Sequence, residues 1–147
     1  MKPWSLQLGQ QISRVELHAQ YGGSGQRGIA PSSSSRNILL FSGPQGEQYG
    51  YRDTLQNDEC FHYTGEGQFG DQSLDRGNKS VLLYRERGRA IRLFDGARGV
   101  VSYVGEFGLD AEKSYYFRNA PDLNGHQRRV VVFRLRPIGR VHYGSLA

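Results

Sequence analysis

Short stretches in which apolar and polar positions alternate, or apolar residues run together for four positions, recur along this chain between glycine-rich breaks. That rhythm predicts strands. Asn37-Ile-Leu-Leu-Phe-Ser42, bounded by Gly43-Pro44, is one, and Cys60-Phe-His-Tyr-Thr64 is another. Residues 80–85 and 89–94 read as the arms of a hairpin about Glu86-Arg-Gly88, and Asp95-Gly96 introduces a strand over 100–104. A strand over 114–118, a turn at Pro121-Asp-Leu-Asn-Gly125 and a long strand over 128–135, ending at Pro137, complete the set. In the last strand Val131, Phe133 and Leu135 form the expected core face, with Val130, Val132 and Arg134 opposite. Ser13-Arg-Val-Glu16 has the pattern of a capping box and Tyr21-Gly22-Gly23 that of a stop, so a short helix is expected over 13–20. The fold class is α+β and β-rich: a curled sheet or small barrel of seven or eight strands with one or two short helices. The tract 22–35, rich in glycine and serine, offers no core face and is either a disordered linker or an ordered loop that wraps a ligand.

A length of 147 residues suits one domain with an adequate core. The expected organisation is an N-terminal extension over 1–12, the domain over 13–138 and a tail over 139–147. Nineteen Lys and Arg, sixteen of them Arg, against fourteen acids give a formal net charge of +5, which suits a polyanionic partner. The single Cys60 forms no internal disulfide, and with His18, His62, His126 and His142 it matches no zinc spacing. No metal or cofactor is expected, and the setting is expected to be reducing and cytoplasmic. No apolar run approaches the roughly 18 residues that span a bilayer, so no membrane partner is expected.

Candidate chemistry concentrates in Tyr51-Arg-Asp53, Tyr63-Thr-Gly-Glu-Gly-Gln68, Gly70-Asp71 and Gly77-Asn78-Lys79. Aromatic faces sandwich a planar base, a carboxylate accepts from an exocyclic amine, and glycines let backbone approach a ligand edge. Taken singly, Tyr63 on a strand is more often packing and Asp53 more often an Asx-turn former. Together they point to a nucleobase pocket. On a strand over 60–64, Phe61 and Tyr63 face one way and Cys60, His62 and Thr64 the other, so only one of these sets lines such a pocket. His62 and Glu66 have no nucleophile, metal set or second base at suitable spacing, so a binding module is expected and no catalytic residue is assigned. Arg85, Arg87, Arg89 and Arg92 form either a solvated face or part of a nucleic-acid track.

The segment Tyr51-Arg-Asp-Thr54, Tyr63 through Asp71, and Gly77-Asn78 resembles the signature of SRA (SET and RING-associated) domains, more specifically those of McrA-type, modification-dependent HNH restriction endonucleases. Supporting stretches such as Glu16-Leu-His18, Leu39-Leu-Phe-Ser42, Tyr103-Val-Gly-Glu106 and Val132-Phe-Arg-Leu-Arg-Pro137 spread the likeness over residues 13–138. The resemblance implies a PUA-like curved β-barrel that flips a C5-modified cytosine, 5-methyl or 5-hydroxymethyl, out of duplex DNA. Tyr51 and Tyr63 are then the stacking pair and Asp53 the polar reader. The second aspartate of the family's Y-x-D-D turn is Thr54 here, which leaves Asp58 as an alternative reader. Ser42, Gly43 and Thr64 are expected in the pocket wall. Gln26, Arg27 and Gly28 are expected in a DNA groove, filling the vacated space, with Arg36, Asn78 and Lys79 along the backbone. The second inserting loop of eukaryotic SRA domains is compressed here to residues 71–76, which implies weaker enforcement of CpG context. Implied partners are modified double-stranded DNA and an HNH nuclease module, in cis or in trans, of a bacterial type IV restriction system. Two alternatives stand beside this reading: a PUA- or ASCH-like RNA-binding domain, and an enzyme acting on a modified nucleotide.

Overall fold

Ser13 ends the first strand and starts the first helix. Its side-chain oxygen accepts the backbone N–H of Glu16 at 3.1 Å, and Gly22, at φ 79°, closes the helix with its N–H on the carbonyl of His18. The computed structural model describes residues 2–43 and 53–147. The elements are β1 (Gln11–Ser13), α1 (Arg14–Tyr21), β2 (Ile29–Ser32), β3 (Asn37–Ser42), β4 (Thr54–Leu55), β5 (Phe61–Thr64), α2 (Arg76–Leu82), β6 (Ala90–Asp95), β7 (Val100–Leu109), β8 (Tyr115–Pro121) and β9 (Gln127–Pro137). Among the described residues, nine strands form one open sheet in the order β2-β3-β6-β7-β9-β5-β4, with β1 added to β7 and β8 to β9. β3 and β6 pair in parallel, joined by a connection that carries β4, β5 and α2.

Apolar side chains decide how this sheet bends. Ile29 on β2 and Phe61 on β5 lie far apart along the strand order, yet share one buried cluster with Ile38, Leu40, Leu93, Phe107 and Phe133, so the sheet curls around it. A second cluster, with Leu39, Phe41, Phe94 and Tyr103 from the sheet and Leu17 and Tyr21 from α1, covers the other face. β3 is therefore buried on both faces, which is why its sequence is a continuous apolar run. On β9, Val131, Phe133 and Leu135 enter the larger cluster as expected, while Val130 and Val132 pack with Ala120 on the opposite face.

Two expectations change. Residues 80–85 do not form a hairpin arm: α2 ends at Leu82, with Gly77, Asn78 and Val81 buried at helical spacing and Tyr84 just beyond. A short apolar run is ambiguous between the two states, and here its buried positions follow the helical period. The tract 22–35 contains β2, paired antiparallel with β3. Its serines serve α1: Ser32 and Ser35 both donate to the carbonyl of Tyr21, satisfying the end of that helix. The residues expected as an N-terminal extension pack on the second cluster: Leu6 and Ile12 are buried and the Trp4 ring lies 4.4 Å from that of Tyr21, with the Arg92 guanidinium 4.5 Å over it. The tail also packs inward, with Val141, Tyr143 and Leu146 against the larger cluster. No helix among the described residues is long and apolar enough to cross a membrane.

An ion network secures the strand pairing outside the core. Arg134 bridges Asp58 at 3.0 Å and Asp110 at 2.8 Å, and Arg136 adds a 2.7 Å contact to Asp110. Burial alone would raise the Asp58 carboxyl, but the Cys60 N–H, His62 and Arg134 hold it at about 2. The Lys113 N–H and Arg136 hold Asp110 at about 2. Both carboxyls lie below their ordinary value of 3.8. Their contribution to stability is therefore present above that value and lost as pH falls through it toward 2. Urea denaturation between pH 6 and pH 2 is expected to show a flat plateau followed by a fall that begins near pH 4. A double variant, Asp58→Asn with Asp110→Asn, is expected to flatten that fall, and an unchanged slope would remove these groups as its cause.

Candidate nucleic-acid interface

Where β3 and β5 end, a cleft of about 1020 Å³ opens between the start of α1 and the loops that follow α1, β5 and β6. Asp53 stands in its wall. The hydroxyl of Ser42, at the end of β3, donates to one carboxylate oxygen of Asp53 at 2.6 Å, and the N–H of Thr64, at the end of β5, donates to the other at 2.8 Å. Burial pushes the Asp53 carboxyl up, against the opposing pull of the Ser42 and Thr64 hydrogen bonds and the positive charge of Arg118. Tyr63 lines the same cleft, and its hydroxyl donates to the carbonyls of Gly28 and Phe41, both at 3.0 Å. Of the two faces of β5, the one bearing Tyr63 lines the cleft beside the core. The other carries His62 away from it into bonds with Tyr116 and Asp58, while Thr64 reaches the cleft through its position at the strand end.

Behind this wall the turn after β5 is held by side chains that the sequence reading had placed elsewhere or passed over. Asn78, 1% exposed, accepts the N–H of Glu66 at 2.8 Å and donates to the carbonyls of Glu66 and Ser73. It braces the turn from beneath and presents no side chain to a DNA backbone, which corrects its expected role. Buried Gln72 donates to the carbonyls of Gly65 and Gly67 and accepts from Val131. A Cβ on Gly65 would lie 2.5 Å from Val131 and 2.6 Å from the Asn78 amide oxygen, so the glycine is required by close approach.

Arg14 is the residue that sequence reasoning missed most completely. Beside a helix cap on an amphipathic first turn, an arginine carries no signal of burial. In the structure it is 6% exposed, with its guanidinium carbon 3.6 Å from the centroid of the Phe41 ring. It donates to the carbonyls of Ala97, Ser24 and Arg27, tying three parts of the cleft rim together. Its Nε donates to His18, whose other ring nitrogen bonds the carbonyl of Gly22. Burial lowers the pKa of both Arg14 and His18, consistent with a neutral imidazole accepting from the guanidinium.

The remaining candidates divide by position. Gln26, Arg27, Gly28 and Gly43 line the cleft, with Arg27 tied to Glu66 by contacts of 2.9 and 2.8 Å. Lys79 lies in an adjoining basic groove of about 680 Å³ with Arg27, Arg76 and Arg87. Arg85 lines a different cleft, near Asp110 and Arg136, so the expected arginine set does not act as one patch. Arg36 sits at the other end of β3 from Ser42, roughly 20 Å away at strand rise, and joins neither group. Asp58 belongs to the ion network and not to the cleft, and Thr54 is exposed on β4, opposite His62. Of the two aspartates, Asp53 lines this cleft and Asp58 does not. Tyr51 lies outside the described residues. Among the described residues, no group of His, Cys, Asp and Glu is arranged to hold a metal ion.

Comparison with known proteins follows this geometry. The family model described as ScoMcrA-like, SRA domain matches residues 8–145. The chain belongs to this SRA domain family. No curated protein matches it in sequence. Among solved structures, the SRA domain is similar to the sulfur binding domain and SRA domain of ScoMcrA complexed with phosphorothioated DNA, at 23% identity and TM-score 0.71, covering 91% of this chain and 40% of that one. It is similar to the Type IV phosphorothioation-dependent restriction endonuclease ScoMcrA at 21% identity and TM-score 0.71, covering 97% of this chain and 30% of that one. The SUVH5 SRA domain in complex with fully methylated CG DNA matches at 23% identity and TM-score 0.65, covering 93% and 92%. The SRA domain thus spans 40% or less of the two ScoMcrA chains and nearly all of the SUVH5 chain. These likenesses carry the fold, a β-rich curled sheet with two helices.

Proposed function

We propose that this SRA domain reads a C5-modified cytosine in duplex DNA by turning the base out of the stack and into the cleft beside Asp53. The observation that carries the reading is the Asp53 carboxyl, held by Ser42 and the Thr64 N–H next to Tyr63, in the wall of a cleft also lined by Arg14, Arg27, Arg76 and Arg98. Cytosine presents an N4 amino donor and an N3 acceptor. A carboxyl whose pKa is raised carries a proton more readily, and in that form it offers the complementary acceptor and donor. The neighbouring ScoMcrA and SUVH5 complexes, which contain phosphorothioated and methylated DNA, support modified DNA as the ligand class.

Turning a base out costs a few kcal/mol of pairing and stacking, offset inside the pocket and at the phosphates. The groove of Arg27, Arg76, Lys79 and Arg87 continues from the cleft and is the proposed phosphate track. Burying a 5-methyl group adds only about 0.8 kcal/mol, so discrimination by burial alone is several-fold. In this reading the domain is a targeting module in the bacterial cytoplasm that directs an HNH nuclease, in cis or in trans, as part of a type IV restriction system.

The test is a titration at fixed salt with matched duplexes carrying cytosine, 5-methylcytosine or 5-hydroxymethylcytosine at one position. One modified duplex is expected to bind at least several-fold more tightly than the unmodified one. Tyr63→Leu, folded by circular dichroism, is expected to lose about tenfold on that duplex, since aromatic stacking on a base is worth 1–3 kcal/mol, roughly. Equal binding of the wild-type protein to all three duplexes would sink the proposal, and tighter binding of single-stranded RNA would favour an RNA-binding domain.

A further inference from the structure

Arg27, Glu66 and Arg76 line both the cleft and the adjoining basic groove, so they form the junction between the two. Among the described residues, four basic side chains line the groove and Glu66 is its single carboxylate. A lone acid in such a groove works against a polyanion. Glu66 is nevertheless held firmly in place. Its two carboxylate oxygens lie 2.9 and 2.8 Å from one guanidinium nitrogen of Arg27, and one of them accepts the backbone N–H of Gly77 at 3.0 Å. The carboxylate packs directly on that backbone. A Cβ at position 77 would come within 2.6 to 2.7 Å of the carboxylate atoms, so a side chain there would expel it. The turn beneath is fixed as well, since buried Asn78 bonds both the N–H and the carbonyl of Glu66.

We propose that Glu66 is a built-in counter-ion for Arg27, which competes with DNA phosphate for the guanidinium and so holds down the affinity of the domain for DNA of any sequence. The inference rests on the phosphate-track part of the reading above and is independent of how the base is read. The pair is rooted on the side of the acid and open on the side of the base. Gly77 and Asn78 keep Glu66 on its turn, whereas Arg14 holds Arg27 by its backbone carbonyl and the Arg27 side chain beyond is 43% exposed. Ion pairs that stand in water are weak, so a phosphate can draw Arg27 away and leave Glu66 behind. That exchange strands a carboxylate beside the DNA, a cost that every duplex meets alike. A duplex that also fills the cleft offsets it, and DNA that offers phosphates alone has less with which to do so.

Glu66→Gln tests the proposal, because its amide oxygen still accepts the Gly77 N–H while the charge that holds Arg27 is gone. Each further phosphate neutralised by the protein steepens the fall of log affinity with log salt by about 0.9, equal to about eightfold in affinity at about 0.1 M salt. Glu66→Gln is therefore expected to bind the unmodified duplex about eightfold more tightly, with that steeper slope, and to gain by the same factor on the modified duplexes. Glu66→Ala is expected to show the same gain, and adding Arg27→Gln to Glu66→Gln is expected to return the slope to the wild-type value. Asp75→Asn removes a charge from the cleft wall without releasing a guanidinium, and is expected to leave the slope unchanged. Unchanged or weaker binding by the Glu66 variants would overturn the proposal and make the pair a support for Arg27. A gain of the same size in Asp75→Asn, the mark of net charge alone, would overturn it too, as would a gain that survives Arg27→Gln. Failure of the base reading is a separate result, in which the wild-type protein binds all three duplexes alike while the gain in Glu66→Gln persists.

Discussion

Asp53→Ala is expected to weaken binding of the modified duplex on the order of a hundredfold, while Asp53→Asn loses far less. The alanine removes both partners of the cytosine edge at a desolvated position. Leaving such groups unpaired costs about 1–3 kcal/mol each, so a loss of about 3 kcal/mol follows, or two decades of affinity. Asparagine keeps the pattern of one acceptor and one donor toward the base. It also keeps the internal bonds: its oxygen accepts from the Thr64 N–H, and its amide nitrogen donates to the Ser42 hydroxyl in the reverse sense of the native bond. Stability separates the same variant from the wild type. A carboxyl raised by burial favours the protonated form in the folded state, so its stabilising effect is full below the ordinary carboxyl pKa of 3.8 and is lost as pH rises through the folded value. Asp53→Asn is therefore expected to match the wild type near pH 3.5 and to exceed it increasingly at higher pH in chemical denaturation. If asparagine proves as damaging as alanine for binding, the base is read by a charged carboxylate and not by a donor–acceptor pair.

Asn78→Ala is expected to destabilise the fold by about 3 kcal/mol, because three backbone groups, the Glu66 N–H and the carbonyls of Glu66 and Ser73, lose a partner under a residue only 1% exposed. For a chain of this size that corresponds to a fall in Tm of about 10 °C. DNA affinity falls with it, since the same turn positions Thr64 and carries Glu66, the partner of Arg27. Asn78→Asp is expected to be no milder: it keeps the acceptor but loses both donated bonds and sets a second carboxylate near Glu66. Calorimetry decides the matter, and a Tm within about 2 °C of wild type for both variants would mean that water replaces the amide at no cost.

The two residues differ in how far sequence could lead to them. Asp53 stands in a recognisable motif, and the strand pattern around residues 60–64 put Tyr63 on one face with Phe61, leaving open which face lines the pocket. The Ser13 cap, the Gly22 stop and the core face of β9 were legible for a simpler reason. Each depends on residues two to four apart, where backbone geometry dictates the relationship. Residues 80–85 misled because four apolar positions in a row fit either period, and the outcome depended on burial of Asn78 and Val81 at helical spacing. The serines of the tract 22–35 resembled a linker because their partner, the carbonyl of Tyr21, lies eleven and fourteen residues back.

By itself the sequence determined the β-rich class, the helix over α1 and the family, along with the neighbourhood of Tyr63 and Asp53, because local periodicity and contiguous motifs encode them. Only the tertiary structure decided that Asp53 and not Asp58 faces the cleft, that Asn78 is a brace, and that Arg14 ties the rim. Asp53 and Asp58 are chemically identical and five positions apart. What separates them is the hydroxyl of Ser42 on one side and the guanidinium of Arg134, seventy-six residues beyond Asp58, on the other. Hydrogen bonds and ion pairs of that span are set by how the sheet curls, and no local pattern records them.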